Sequence, residues 1–240
     1  MRGLLHDSST WRTGLRAVVL AALLGSAGLP AGAQVAPSPA EVAAYQGLHA
    51  AAHRGDIELI DKLVAAKADL NARDRHGRTP LHVATFARQH AAIRALARAG
   101  AGLELLEHDR YDAVTIASVA DDVETLDLLL SLGASAKLTT SRYDGTALIA
   151  AAHLGHDGVV RRLIAAGAPL DHVNNLHWTA VIEAIVLGDG GRRHQATLKA
   201  LIDAKADLQL ADREGRTPLQ LARGRGYGEM VRMLEGAGAR

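Results

Sequence analysis

The amino-acid sequence predicts an all-α repeat solenoid of about six helix-turn-helix units joined by β-hairpin-like loops. Three observations predict it. Alanine supplies 47 of the 240 residues, whereas Phe, Trp and Tyr together supply seven. Strands favour β-branched and aromatic side chains, so this balance favours closely packed helices. Alanines recur at positions 51, 84, 117, 151, 184 and 222, in steps of 33, 33, 34, 33 and 38. A second ladder, Lys67, Gly100, Gly133, Gly167, Lys205 and Gly238, keeps the same phase. Two ladders in register mark stacked structural units.

The first segment reads as an export signal. Arg2, Arg12 and Arg16 face only Asp7 among charges of opposite sign, and the apolar run Ala17–Leu24 follows. Pro30 breaks that run, and Ala31-Gly32-Ala33 places small residues ahead of an expected cleavage between Ala33 and Gln34. This is the order of a Sec-type signal peptide over 1–33. A retained membrane anchor needs about 18 or more apolar residues, longer than this core. No Cys follows the cleavage point, which excludes a lipid anchor there. Export to the periplasm or the exterior is therefore expected, with no membrane contact after cleavage. Losing 1–33 would change the formal net charge from +1 to −1, so no basic field for nucleic acid arises. Residues 34–40, with Pro37 and Pro39, read as an extended linker.

The units then follow in order at roughly 41–73, 74–106, 107–139, 140–173, 174–211 and 212–240. Thr79-Pro80 and Thr217-Pro218 read as helix starts, with the hydroxyl capping free N–H groups and Pro at the first helical position. Leu48, Leu81, Val114, Leu148, Val181 and Leu219 fall one register apart and should point inward. Gly55, Gly155, Gly188 and Gly226 are expected to end the first helices in a left-handed turn. Second helices carry Ile57, Ile60, Leu63 and Val64, then Val159, Val160, Leu163 and Ile164, at helical spacing. In the third unit Asp112 replaces the capping Thr, and Arg110 stands where the hairpin should have Gly. Lys67 and Lys205 replace the terminal Gly of their units. The fifth unit has five extra residues around Asp189–His194, expected to bulge between its two helices. The last unit, with Arg223, Arg225, Glu229 and Arg232, reads as a polar capping repeat.

Thr79-Pro80-Leu81-His82 and Thr217-Pro218-Leu219-Gln220, set in this period, resemble the signature of the ankyrin-repeat family. The resemblance spans roughly 41–240. Asn174–Ala180 and Gly188–Gly191 also resemble exported bacterial members. It implies a non-catalytic scaffold that binds a protein partner on its hairpin and concave surface. It also admits an accessory or protective partner of a periplasmic enzyme, for example in oxidative-stress defence, or an immunity or effector protein in bacterial competition.

Candidate chemistry is sparse. Zero Cys removes disulfides, thiolate nucleophiles and Cys-bound metals. His49 and His53 have the spacing of a metal pair, but Ala50-Ala51-Ala52 lies between and no Glu acts as base. His49 shares the repeat slot of His82, whose expected work is to tie the hairpin to the helix. His153 and His156 lack a placed third ligand. Gly188–Gly191 with Arg192 and Arg193 follows no strand, as a phosphate loop would. No Gly-x-Ser-x-Gly elbow exists, so no catalytic residue, cofactor or metal site is expected.

The informative position precedes the capping residue: Arg78, Tyr111, Gly145, Trp178 and Arg216. It is read as exposed, along the hairpin fingers. With neighbours Arg75, His76, Arg142, Tyr143 and His177 it forms the expected partner-binding stripe, since Tyr, Trp and Arg dominate binding hot spots.

Overall fold

Capping residues fix where the helices begin. Thr79, Asp112, Thr146, Thr179 and Thr217 each stand in extended conformation, with a side-chain oxygen accepting the N–H three residues on. Each thereby occupies an otherwise orphaned donor of the first turn. The computed structural model describes residues 34–240, and Ala36–Arg240 form one packing unit. The expected signal peptide, Ala33 included, lies outside the described residues.

The described residues hold thirteen helices. A short α1 (Pro39–Ala44) precedes six pairs. They are α2 (Gly47–Arg54) with α3 (Ile57–Ala65), α4 (Pro80–Phe86) with α5 (His90–Arg98), and α6 (Ala113–Val119) with α7 (Val123–Ser131). Then come α8 (Ala147–Leu154) with α9 (Asp157–Ala165), α10 (Ala180–Val186) with α11 (Arg192–Asp203), and α12 (Pro218–Arg225) with α13 (Gly228–Gly236). First helices pack on first helices and second helices on second helices, in chain order. The result is two helical layers with a third row of hairpins. In one hairpin β1 (Thr139–Thr140) pairs antiparallel with β2 (Gly145–Thr146), Thr139 opposite Thr146.

The predicted inward column is buried throughout: Leu48, Leu81, Val114, Leu148, Val181 and Leu219. The alanine ladder beside it is at most 1% exposed, so neighbouring helices approach to backbone distance. Each buried Leu or Val contributes about 1.5–3 kcal/mol relative to an exposed one. Small and branched residues thus do the work that aromatics do in other cores.

Several local expectations are corrected. The 34–40 linker is not wholly extended, because Pro39 opens α1. Ser38 caps that helix through Glu41 N, and Glu41 Oε2 accepts the Ser38 N–H at 2.8 Å. Gly55, Gly155 and Gly226 are left-handed as expected, but Gly188 is not. Helix α10 ends at Val186 with a right-handed Leu187, and Gly188 is needed for closeness, since a Cβ there would run into Ala184 O. Lys67, Lys205 and Arg110 take φ of 63, 70 and 66°, so these turns keep the left-handed form without glycine. The insertion does sit between its two helices, and part of it extends α11 to twelve residues against nine in α9. Among the described residues no helix is long and apolar enough to cross a membrane.

Candidate protein-binding surface

The hairpins are built alike from one anchoring side chain each. Asp74 Oδ1 accepts the N–H of His76 and Arg78, Asn174 Oδ1 those of Leu176 and Trp178, and Asp212 Oδ1 those of Glu214 and Arg216. Glu107 Oε1 accepts Tyr111 N, and Ser141 Oγ accepts Tyr143 N and Gly145 N. Neighbouring hairpins then bond side by side. His108 N donates to His76 O, Ser141 N to Arg110 O and Asn175 N to Tyr143 O, each at 2.9 Å. Arg213 continues the row by donating to Asn175 O at 2.8 Å. The fingers therefore form one ribbon rather than independent loops.

Histidines tie this ribbon to the helices. His49 Nε2 lies 2.9 Å from Arg78 O and His82 Nε2 2.9 Å from Leu105 O. His82 Nδ1 accepts Thr79 N, and burial lowers its pKa to about 4, so the ring stays neutral. His49 therefore has the hairpin-tying work expected of its slot. His156 Nδ1 lies 2.9 Å from Ser118 O. Among the described residues no three metal-ligating side chains converge. Arg193, next to the glycine-rich insertion, is committed to Asp121 and Gly155 O.

The expected binding residues divide into three groups. Arg78 is the correction: its side chain is 1% exposed, bonded to Asp74 and Glu41. A buried guanidinium needs such paired acceptors, and one of them, Glu41, comes from α1 at the very start of the first unit. Arg75 and His76 sit at the same end, both against Glu41 (3.3 and 2.8 Å), with Arg75 73% exposed. Ser38 hydrogen bonds hold the Glu41 carboxyl down at about 2, so it is ionised to meet them. Trp178 is half-buried and packs on the core, so it is partly structural. The rest form a middle patch. Tyr111 and Tyr143 are half-buried, while Arg142 and His177 are exposed. Burial raises the Tyr111 hydroxyl pKa against the opposing charge of Arg142, which with Tyr143 acts on it directly.

The adjoining first-helix face belongs to the concave surface expected from sequence, but its individual residues were not singled out there. Leu154 and Leu187, 39% and 40% exposed, occupy equivalent places in consecutive repeats. Two positions after the inward column stand Ala50, Val83, Ile116, Ala150, Glu183 and Leu221. Glu183 is the one acid there, and reading down the column would have found it. Its Oε1 accepts Asn174 Nδ2 at 3.0 Å, and burial raises its pKa to about 7.

Models of ankyrin repeats match residues 48–140, 113–206 and 184–235. The ankyrin repeat protein YahD of Escherichia coli (strain K12) is 35% identical over 190 residues, 79% of this chain and 94% of YahD. The chain belongs to the ankyrin-repeat family. An ankyrin repeat domain of Acinetobacter baumannii AYE, solved by crystallography, superposes with a TM-score of 0.76 at 44% identity, covering 80% of this chain and 98% of that one. The ankyrin repeat protein EF0377 gives 0.74 at 29% identity, covering 82% and 100%. Ankyrin repeats are protein-interaction modules.

Proposed function

We propose that this chain is an exported, non-catalytic protein-binding module whose partner docks on the hairpin ribbon and the adjoining first-helix face. One observation carries the reading. Lateral hydrogen bonds place Tyr111, Tyr143 and Trp178 from successive repeats on one continuous ribbon, next to exposed Arg142 and His177. Aromatic rings with two rotatable angles anchor a partner at little entropic cost. Export rests on the basic, apolar and small-residue order of 1–33. Replacing Ala31 and Ala33 by Leu is expected to leave a precursor of full length.

The surface test is the double substitution Tyr111→Ala with Tyr143→Ala, assayed by capture of the native complex from periplasmic extract and by thermal melting. Loss of an anchor typically costs about 2 kcal/mol or more of binding free energy. Lost capture at a melting temperature within a few degrees supports the ribbon as the site. Retained capture overturns it. Trp178 is left intact, because its packing on the core would confound the melt.

A further inference from the structure

Glu183 is an expensive residue to place where it stands. Its side chain is 5% exposed, in a column otherwise made of Ala, Val, Ile and Leu. Oε1 has Asn174, but Oε2 is buried without a hydrogen-bond partner. His153 Nδ1, on the neighbouring first helix α8, stands 3.6 Å from Oε2, beyond hydrogen-bond reach. A buried acceptor left unmatched costs roughly 1–3 kcal/mol, more when charged, so the arrangement is incomplete as it stands.

The surroundings say what would complete it. His153 is 43% exposed and its ring lies between the buried Oε2 and the open face, so a partner's cation reaches that oxygen when the ring turns aside. Burial and the neighbouring His194 and His156 lower its pKa, which disfavours the charged form of the ring. Leu187 lies four residues beyond Glu183, just past the end of α10, and Leu154 follows His153 at the end of α8, both exposed. An acidic acceptor with exposed leucines on the same two repeats fits a cation on an aliphatic stem. A neutral donor would match the hydrogen bond but not the charge, and charge-assisted hydrogen bonds are about twice as strong.

We propose that the first-helix face of the fourth and fifth repeats holds an anchoring subsite for a Lys or Arg side chain on an apolar segment of the protein partner, with Glu183 Oε2 as acceptor and Leu154 and Leu187 as flanking contacts. The subsite rests on the protein-binding reading above and sharpens it. It gives the docked partner a register, since the same column in the other five repeats offers no charge.

The test uses the mature chain with three probes of equal length: n-hexylammonium, n-hexanol and hexanoate. Amide resonances of 150–154 and 183–187 are followed by NMR titration near pH 8. Hexylammonium is expected to shift them at the lowest concentration, hexanol at several-fold higher, and hexanoate least. Glu183→Gln is expected to weaken the ammonium about tenfold while leaving hexanol unchanged. His153→Ala, which uncovers Oε2 and keeps the acid, is expected to retain the ammonium preference. Equal response to ammonium and alcohol overturns the subsite, as does a preference that survives Glu183→Gln. These probes need no partner, so a ribbon variant that still captures its partner overturns the ribbon reading and leaves this result standing.

Discussion

Glu183 decides a pH dependence by itself. Burial raises its carboxyl from 4.5 to about 7, opposed only by the Asn174 hydrogen bond. Below the lower value both folded and unfolded chains hold the proton, and nothing is lost. Between the two values the unfolded chain releases its proton and the folded chain keeps it. Stability therefore falls as pH rises, and the loss is complete above the folded value, at a ceiling of about 3 kcal/mol. His82 runs the other way. Its pKa is lowered from 6.5 to about 4, so its share is lost as pH falls through that window. The comparison of Glu183→Gln with the parent cancels His82. Between about pH 4.5 and 8, denaturant unfolding should show the variant gaining about 2 kcal/mol on the parent. A constant difference would contradict the buried acid. Residue identity alone would have exposed the anomaly as a lone acid in an apolar column, though the acid was not singled out from sequence. It did not reveal that Arg78 is buried, because the carboxylate that takes it out of solvent, Glu41, lies 37 residues away.

Helices and turns were legible to different degrees. The Thr and Asp starts follow from a cap that acts within three residues, so sequence carries the whole of that physics. Turn ends depend on packing as well. Gly155 and Gly226 have φ of 68 and 73°, yet a Cβ on Gly155 would stand 3.0 Å from the His194 ring, whereas Gly226 faces open space. Left-handed geometry alone costs an L side chain roughly 1–2 kcal/mol. Gly226→Ala should lose that amount, and Gly155→Ala about 1 kcal/mol more, because His194 is held by Asp189 and His153 O. Lys67→Gly should gain about 1 kcal/mol by relieving the same backbone cost at φ 63°. Chemical denaturation of the three variants checks the order. Equal losses at the two glycines would remove His194 from the explanation. The long insertion was placed correctly between its helices, but its division between loop and a longer α11 depends on contacts to Gly155, Asp121 and Tyr227 that no local pattern encodes.

At the scale of the whole molecule the period was the readable quantity, because every unit buries its apolar face on its neighbours. An interior break should therefore spread. Leu148→Asp puts a charge at a fully buried site in the fourth unit and should remove much of the helical circular dichroism. Ending the chain after Glu235 removes the Arg240 O acceptor of Thr217 and little core, and should cost far less. What the period could not show is the lateral bonding that turns five fingers into a ribbon, since backbone donors and acceptors carry no residue signature. That ribbon and the adjoining first-helix face carry the proposed function. Hydrogen–deuterium exchange of the native complex, compared with the free chain, tests this most directly. The account predicts new protection at 108–111, 141–144 and 175–178 together with 150–154 and 183–187, and none on the second helices α3, α5, α7 and α9. Protection confined to those second helices would contradict it.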